Sequence, residues 1–477
     1  MISFTVCLIL LVVGYFTYGR YIDHLFGPTN RKTPALTNPD GVDYIPLPTW
    51  KIFMIQFLNI AGLGPIFGAI LGAKFGTASF LWIVFGCIFI GSVHDYVAGM
   101  LSVRNNGASL PEIIGKYMGN SVKQLMRGFI VVLMILLGSV FVAGPAGLLA
   151  SLTPDSLDTT FWIIVVFLYF VFATLLPIDK IIGRVYPLFA FSLLFMALAL
   201  LVMLYVIHPA LPEVWEGLEN THPQADTLPI FPIMFVSIAC GAVSGFHGTQ
   251  SPLMARCMTS EYHGRPIFFG AMITEGIVAL IWAAVATFFY HNNGFGESNA
   301  AIIVDSITKE WLGTIGGILA VLGVIAAPIT SGDTAFRSAR LIVADFMNFK
   351  QNKIFNRLVI CIPMFIIAIG LLLYSLKYPD GFNLIWRYFA CANQTLSVFT
   401  LWTITIYLAR QKKNFYVALF PAVFMTAVCT TYICVAPEGL GFTKAVSYAV
   451  GGVSAVVTFI YFFYWWNKCK ASFVPER

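Results

Sequence analysis

The sequence predicts an all-α integral membrane protein with about thirteen transmembrane helices, two of them discontinuous. Of the 477 residues, 58% are hydrophobic and only 10% are charged, and the mean hydropathy is +0.83. Such a composition is typical of a chain that spans a membrane many times. No polar stretch longer than about 30 residues separates the apolar runs, which leaves no room for a separate soluble domain.

The apolar runs are each about 17 to 25 residues long, which is enough to cross a bilayer. The predicted spans lie near 2–19, 50–73, 78–102, 125–151, 160–176, 187–208, 230–250, 267–290, 313–335, 355–375, 381–408, 414–435 and 443–466. The first run lacks a basic leader and a small-residue cleavage site, so we expect a retained span rather than a cleaved signal peptide.

The second span carries glycines and a proline in its middle, within the sequence IQFLNIAGLGPIFG from Ile55 to Gly68. Proline and glycine interrupt a helix, and the freed backbone groups must then be buried in protein or line a cavity. The seventh span contains a similar sequence, SGFHGTQSP from Ser244 to Pro252. Two interrupted spans in matching positions indicate the substrate site of a secondary transporter.

The two interrupted spans are the second and the seventh, an odd offset of five, so they cross the membrane in opposite directions. This spacing predicts two inverted five-helix repeats. We therefore divide the chain into a first helix and loop at 1–49, a first repeat at 50–208, an outer loop and second repeat at 209–408, and two additional helices with a tail at 409–477.

The basic residues predict the orientation. If the N-terminus is outside, about 23 of the 28 lysines and arginines lie in inner loops or the tail. The loop from His208 to Thr227 has four acidic residues and no lysine or arginine, which is typical of an exported loop. We expect an outer N-terminus and an inner C-terminus in the cytoplasmic membrane, and the net charge of +6 does not indicate a nucleic-acid partner.

Ionisable side chains within spans are costly, so each needs an explanation. His94 and Asp95 in the third span and Glu275 in the eighth lie at similar depth. They predict a proton- or cation-coupling site, because histidine changes charge near neutral pH and also binds metals. A bound metal held by these three residues is one alternative, and a buried network that only fixes helix packing is another.

The ninth span contains Thr330, Ser331 and Asp333 close to Pro328. Hydroxyl oxygens and freed carbonyls provide the oxygen ligands that Na⁺ prefers, and Asp333 could serve the same ion or a proton. Alternatively, Asp333 pairs with Arg337 or Arg340 at the helix end.

We predict that the two interrupted spans face each other and bind substrate together. The predicted substrate-binding residues are Gln56, Asn59, Gly62, Gly64, Ser244, Gly245, His247, Gln250 and Arg387. Half-helix N-termini would favour a carboxylate, and freed carbonyls would favour an amine or a cation. Arg387 either meets a substrate carboxylate or extends outward to the membrane surface.

Other function classes find little support. The sequence has no nucleotide-binding loop and no hydrolase or metalloprotease motif, so neither ATP nor soluble-type catalysis is indicated. The nine cysteines lie mostly in apolar runs without paired spacing, and no covalent cofactor is expected. A channel would need a continuous polar path, and an intramembrane enzyme using His94, Asp95 and Glu275 is the lesser alternative.

At these motifs the chain resembles the carbon starvation protein A family. The matching segments are DYIP from Asp43, IAGLGP from Ile60, Asp95, SGFH from Ser244 and TSGD from Thr330. Many longer members have histidines where this chain has Ile55 and Gln56, and a glutamine in place of His94.

The resemblance implies a secondary transporter with the LeuT-like five-plus-five inverted repeat. It implies uptake of short peptides during carbon starvation, with pyruvate or another small monocarboxylate as the alternative substrate. Coupling to H⁺ or Na⁺ is expected, whereas the ion, the substrate and the oligomeric state are not fixed by the sequence.

Overall fold

A computed structural model describes residues 1–175, 182–295, 300–351, 353–378 and 381–473. These residues form nineteen α-helices and several short π and 3₁₀ turns, and no strand occurs in the described ranges. The first repeat region contains α4 to α11, and the preceding segment contains α1 to α3. The bounds are α1 Ile2–Phe16, α2 Tyr18–Phe26, α3 Pro34–Thr37, α4 Thr49–Ile60, α5 Ala69–Gly72, α6 Ala78–Gly86, α7 Ser92–Arg104, α8 Leu110–Met118, α9 Asn120–Leu152, α10 Thr159–Leu175 and α11 Ile182–Ile207.

The second half of the chain is built in the same way, with long helices that follow a short, interrupted one. Its helices are α12 Phe235–Ser237, α13 Gly245–Ala255, α14 Gly270–Asn293, α15 Ala300–Met347, α16 Ile354–Lys377, α17 Gly381–Arg410, α18 Tyr416–Val435 and α19 Lys444–Cys469. Helical structure is present at each of the thirteen predicted spans. By length and hydropathy, eight described helices can each cross a membrane and a bent pair forms a ninth. The total of thirteen spans and the inverted repeat remain predictions.

The first predicted break is confirmed. Helix α4 ends at Ile60, the chain continues through Ala61 to Leu63 without helical structure, and a π turn at Gly64–Gly68 leads into α5. The two halves, Thr49–Ile60 and Gly64–Phe75, differ in direction by 53°. Glycine and proline at this point weaken helix propagation, as the sequence indicates. We call this segment broken span one.

The second break lies earlier than predicted. A π turn at Ile230–Met234 and the short α12 come first, residues 238–244 are non-helical, and α13 begins at Gly245. Gly245, His247 and Gln250 therefore lie on a helix, and Pro252 is inside that helix rather than at the break. The prediction placed the break over Ser244 to Pro252, whereas the structure has the non-helical residues just before that segment and a helix over most of it. We call this segment broken span two.

Broken span two packs against α7, α4 and α17, while α14 packs along both halves of broken span one and α15 packs against α9 and α11. Glu213 in the loop after α11 accepts hydrogen bonds from the amino group of Met1 at 2.6 Å and from the N–H of Ser3. The N-terminus and this acidic loop therefore lie on the same face of the molecule. That arrangement agrees with the predicted common side, and the assignment of that side to the exterior remains a prediction.

Candidate functional site

The two breaks meet through small residues. A Cβ atom added to Gly64 would overlap the side chain of Cys240, and one added to Gly68 would lie 2.8 Å from the carbonyl oxygen of Ser237. Only glycine allows the backbone of broken span one to lie this close to broken span two. The structure thus brings the two interrupted segments together, as the sequence predicted.

Helix α17 satisfies the unwound backbone of broken span two. The Oδ1 atom of Asn393 accepts hydrogen bonds from the N–H of Phe246 at 2.7 Å and from the hydroxyl of Ser244 at 3.1 Å. Gln394 donates its amide to the carbonyl oxygen of Val243 at 2.9 Å. Buried backbone groups require such partners. The two amides thus bridge α17 to broken span two.

A chain of ionisable side chains lies beside the second break. His94 Nδ1 is 2.8 Å from Asp95 Oδ1, and the other carboxylate oxygen, Oδ2, is 2.8 Å from His247 Nδ1. His247 Nε2 is in turn 3.4 Å from Glu275 Oε2. All four side chains are fully buried. The predicted proximity of Asp95 and Glu275 is thus realised through His247, which the sequence analysis had assigned to a different group.

This geometry does not support the predicted metal set of His94, Asp95 and Glu275. The Nδ1 of His94 and both carboxylate oxygens of Asp95 already face other members of the chain. Neighbouring residues on a helix point about 100° apart, but here the short Asp95 side chain turns back to its neighbour. Among the described residues, the ligand atoms that come together belong to Cys240, His247 and Glu275.

Gln56 and Asn59 lie on α4 next to the first break. Both side chains are fully buried, and neither amide has a hydrogen-bond partner within the described part of the chain. Three positions apart on a helix, they share one face. Gln250 is buried too: its amide nitrogen donates to Thr249 and its oxygen has no partner among the described residues. Buried amides without partners are rare, and a polar ligand is one of the usual reasons.

The predicted oxygen ligands on α15 separate into two groups. Ser331 donates its hydroxyl to the carbonyl oxygen of Leu58 at 3.1 Å, directly beside the first break, and its Oγ would lie 3.2 Å from a Cβ on Gly62. Thr330 instead donates to the carbonyl oxygens of Ala326 and Ala327 in its own helix. Only Ser331 therefore reaches broken span one with its side chain.

Asp333 contacts tyrosines of the first repeat. Its carboxylate accepts hydrogen bonds from Tyr186 and, at 3.2 Å, from Tyr169. The contacts do not show the alternative pairing of Asp333 with Arg337 or Arg340. Both arginines instead pair with Asp43. Their distances to the Asp43 carboxylate are 3.2 and 3.4 Å.

Arg387 does not lie with the other predicted substrate-binding residues. Its side chain is 48% exposed and its Nε lies 3.6 Å from the carboxylate of Glu438. These contacts favour the outward alternative, in which the long side chain places its charge where solvent or headgroups can reach it.

Two features of the site were missed from the sequence. Cys240 was grouped with the packed apolar cysteines, although its position four residues before Ser244 placed it near the break. Asp43 was noted only as part of a family motif, although it fastens the loop before α4 to the end of α15. Its contact with Arg337 spans 294 positions, and no periodic pattern could have indicated it.

Solved structures share this architecture. The chain aligns with a mutant of the Eremococcus coleocola manganese transporter at a TM-score of 0.57 and 11% identity, over 92% of this chain and 99% of that one. It aligns with MhsT in complex with L-phenylalanine at a TM-score of 0.57 and 12% identity, over 86% and 97%. Identities this low establish the fold only. The fold and the two breaks define a multi-pass helical membrane protein with the same fold as these solved transporters.

The chain belongs to the carbon starvation protein CstA family, which matches residues 1–155, 150–312 and 291–432. An uncharacterized membrane protein of Haemophilus influenzae is 42% identical over 342 residues, 61% of this chain and 92% of that protein. The peptide transporter CstA of Campylobacter jejuni is 24% identical over 88% of this chain and 78% of its own length. The pyruvate/proton symporter BtsT of Escherichia coli is 29% identical over 58% of this chain and 47% of its own length.

Proposed function

We propose that this chain is a secondary active transporter that imports short peptides across the cytoplasmic membrane, driven by H⁺ or Na⁺. The observation that supports this best is the pair of fully buried, unpartnered amides of Gln56 and Asn59 beside the first break. Amides of this kind can bind the peptide bond of a ligand, which carries one donor and one acceptor. Relatives across the family that are named peptide transporters agree with this substrate class.

The two helix halves that begin at the breaks support a charged substrate. The second half of broken span one begins at Gly64, and α13 begins at Gly245. A helix N-terminus carries a partial positive charge and favours a carboxylate. The carbonyl ends of α4 and α12 would favour the amino end of the same molecule. A short peptide has both ends, and pyruvate has only the carboxylate. Pyruvate is the second candidate, because BtsT is a relative named for it.

Uptake by purified protein in liposomes tests the proposal. Labelled dipeptide and labelled pyruvate are supplied side by side, with an imposed proton or sodium gradient. We expect the dipeptide to accumulate above its external concentration under one of the two gradients. Accumulation of pyruvate alone would replace the peptide by a monocarboxylate, and equilibration without accumulation would indicate a channel.

The coupling ion is tested with Ser331 and Asp333. Replacing Ser331 by Ala removes the hydroxyl beside the carbonyl oxygen of Leu58, so we expect a weaker sodium dependence of uptake if Na⁺ is the coupling ion. Replacing Asp333 by Asn should change the dependence on pH if the coupling ion is H⁺. Ser454→Ala is the control, because that hydroxyl donates to the carbonyl oxygen of Val450 in its own helix, on an exposed face. Unchanged sodium and pH profiles in both variants would remove these residues from coupling.

A further inference from the structure

Three side chains from different elements converge beside the second break. Cys240 lies in the non-helical stretch 238–244, His247 on α13 and Glu275 on α14. One ligand atom of each, a sulfur, a nitrogen and an oxygen, lies within 4.8 Å of the other two. All three side chains are buried. Convergence of three such groups at this separation is the first requirement for binding a single ion.

His247 is held in the orientation that a metal ligand needs. Its Nδ1 donates a proton to Asp95 Oδ2 at 2.8 Å, an assignment that follows from the carboxylate acceptor. The lone pair is then on Nε2, which points toward Glu275 at 3.4 Å. Histidines that bind metals usually donate their other ring N–H to a carboxylate, which fixes the tautomer and raises the basicity of the ligand.

The carboxyl group of Glu275 independently indicates a bound cation. Its carboxyl is fully buried, and neither oxygen has a hydrogen-bond partner among the residues that the structure describes. His247 Nε2, at 3.4 Å, is also without a hydrogen bond there. A buried carboxylate without donors or a counter-charge costs several kcal/mol. A cation between Glu275 and His247 would remove that cost.

The third ligand atom, the sulfur of Cys240, has only weak contacts, so it can bind an ion at the same position. Asn393 lies with its Nδ2 3.8 Å from the sulfur of Cys240, where it can donate a weak hydrogen bond. The thiol of Cys240 faces the oxygen of Ser244 at 3.6 Å, too weak a contact to hold the sulfur in place. A thiolate and a carboxylate together carry the charge that a divalent cation neutralises.

We propose that Cys240, His247 and Glu275 bind one Zn²⁺-type ion through the sulfur, Nε2 and a carboxylate oxygen. A set of thiolate, imidazole and carboxylate suits zinc and disfavours Mg²⁺ and Ca²⁺, which prefer oxygen alone. Three protein ligands leave a fourth position for water or another group. The thiol proton of Cys240 is released to solvent when the ion binds.

The bound ion joins three elements that must move relative to one another if broken span two takes part in transport. It connects the non-helical stretch to the helix that follows it and both to α14. The ion therefore holds the second break in one arrangement and inhibits transport. This consequence rests on the proposed function, whereas the binding of the ion does not.

Cobalt titration of the purified, chelator-treated protein tests the site without any substrate. Co²⁺ replaces Zn²⁺ at such sites, and a cobalt–thiolate bond gives an intense charge-transfer absorption in the near ultraviolet. We expect one Co²⁺ per chain, with this absorption, displaced by Zn²⁺ added in equimolar amount. Incubation must allow for slow entry, because the ligands are fully buried.

Cys240→Ser should abolish the thiolate absorption, and Glu275→Gln should weaken Co²⁺ binding at least tenfold while retaining a thiolate signal at high Co²⁺. Cys87→Ser is the matched control, because Cys87 is equally buried near α14 but its thiol donates to the carbonyl oxygen of Met272. Thermal unfolding of each metal-free variant shows whether it is folded. Absence of stoichiometric binding by the native protein, or an absorption that Cys240→Ser leaves intact, would overturn the proposal.

Inhibition is measured separately, as the uptake rate with and without Zn²⁺ for each protein relative to its own zinc-free rate. Loss of inhibition in Cys240→Ser and its retention in Cys87→Ser support the consequence for transport. If no peptide or pyruvate uptake occurs at all, the proposed function fails, and the cobalt titration still decides whether the ion binds.

Discussion

The amide side chains of Gln56 and Asn59 are the strongest indication of a ligand site. Each is completely buried on α4, and each is without a hydrogen-bond partner in the described structure. A buried, unsatisfied amide lowers the free energy of unfolding by roughly 1–3 kcal/mol relative to an apolar group that fits the same space. Residues retained at such a cost are typical of functional sites.

This cost allows a test of whether the two amides bind substrate or stabilise the fold. The replacements Gln56→Met and Asn59→Leu keep side-chain size and remove the amides, so we expect each to raise the free energy of unfolding by about 1 kcal/mol while abolishing uptake. Thermal unfolding in detergent and uptake in liposomes measure the two effects. Gln224→Met, on an exposed loop, is the control and should change neither. A loss of stability in both site variants would show that the amides serve folding.

For individual residues, the sequence predicts the depth in the membrane but not the direction of the side chain. The sequence placed His94, Asp95 and Glu275 at similar depth because helical rise is constant. It did not give the direction in which each side chain points around its helix. His247 completes the chain between Asp95 and Glu275, whereas the sequence analysis placed it with the substrate-binding residues of the second break.

At the scale of elements, the close approach of the two broken spans depends on Gly64. Gly64→Ala places a methyl group on the Cys240 side chain, so we expect at least a tenfold loss of uptake. Cys240→Gly in the same chain removes the overlapping atoms and should restore part of that loss. Gly147→Ala is the control, because a Cβ at Gly147 meets nothing within 4 Å. Full uptake by Gly64→Ala alone would show that the breaks do not need this contact.

A second element-scale feature is the loop before α4, which Asp43 fastens to α15. Burial raises the pKa of the Asp43 carboxyl, but the charges of Arg340, Arg337 and Arg256 outweigh burial and hold the pKa below its ordinary value. A folded pKa below the unfolded one stabilises the protein above the unfolded pKa of about 3.9. That stabilisation is lost as the pH falls through the lower, folded pKa.

Asp43→Asn should therefore lower the free energy of unfolding at neutral pH by about 3 kcal/mol, because two buried arginines lose their counter-charge. The difference from the native protein should shrink as the pH falls below the unfolded pKa of about 3.9 and should vanish below the lower, folded pKa, where the native carboxyl is also protonated. Unfolding measured across this pH range, with the exposed Asp155→Asn as the control, checks the expectation. A difference that does not change with pH would contradict the ion-pair explanation.

The first break could be predicted from the sequence, and the second could be only roughly located. In broken span one, glycine and proline occur where the helix ends, so a local rule suffices. In broken span two, the unwound residues 238–244 contain no proline, and they are held by contacts of Asn393 with Ser244 and of Gln394 with Val243. Local propensity does not contain such long-range contacts, and the nearby Pro252 is instead accommodated within a helix.

At the scale of the whole molecule, hydropathy and the spacing of the breaks indicated the fold class. Each predicted span has a helical counterpart, and the fold matches solved transporters across most of the chain. The arrangement of the site residues, by contrast, could not be predicted without the tertiary structure. Arg387 lies on a predicted span near its end, but only the tertiary structure shows its side chain directed outward to Glu438.

The central claim is that the two breaks form the substrate site of a gradient-driven importer. It is tested most directly by the steady-state ratio of internal to external dipeptide in liposomes with an imposed gradient, for the native protein and for Gln56→Met with Asn59→Leu. We expect a ratio well above one for the native protein and a ratio of one or less for the stable double variant. A native ratio of one, or a double variant that accumulates dipeptide as the native protein does, would contradict it.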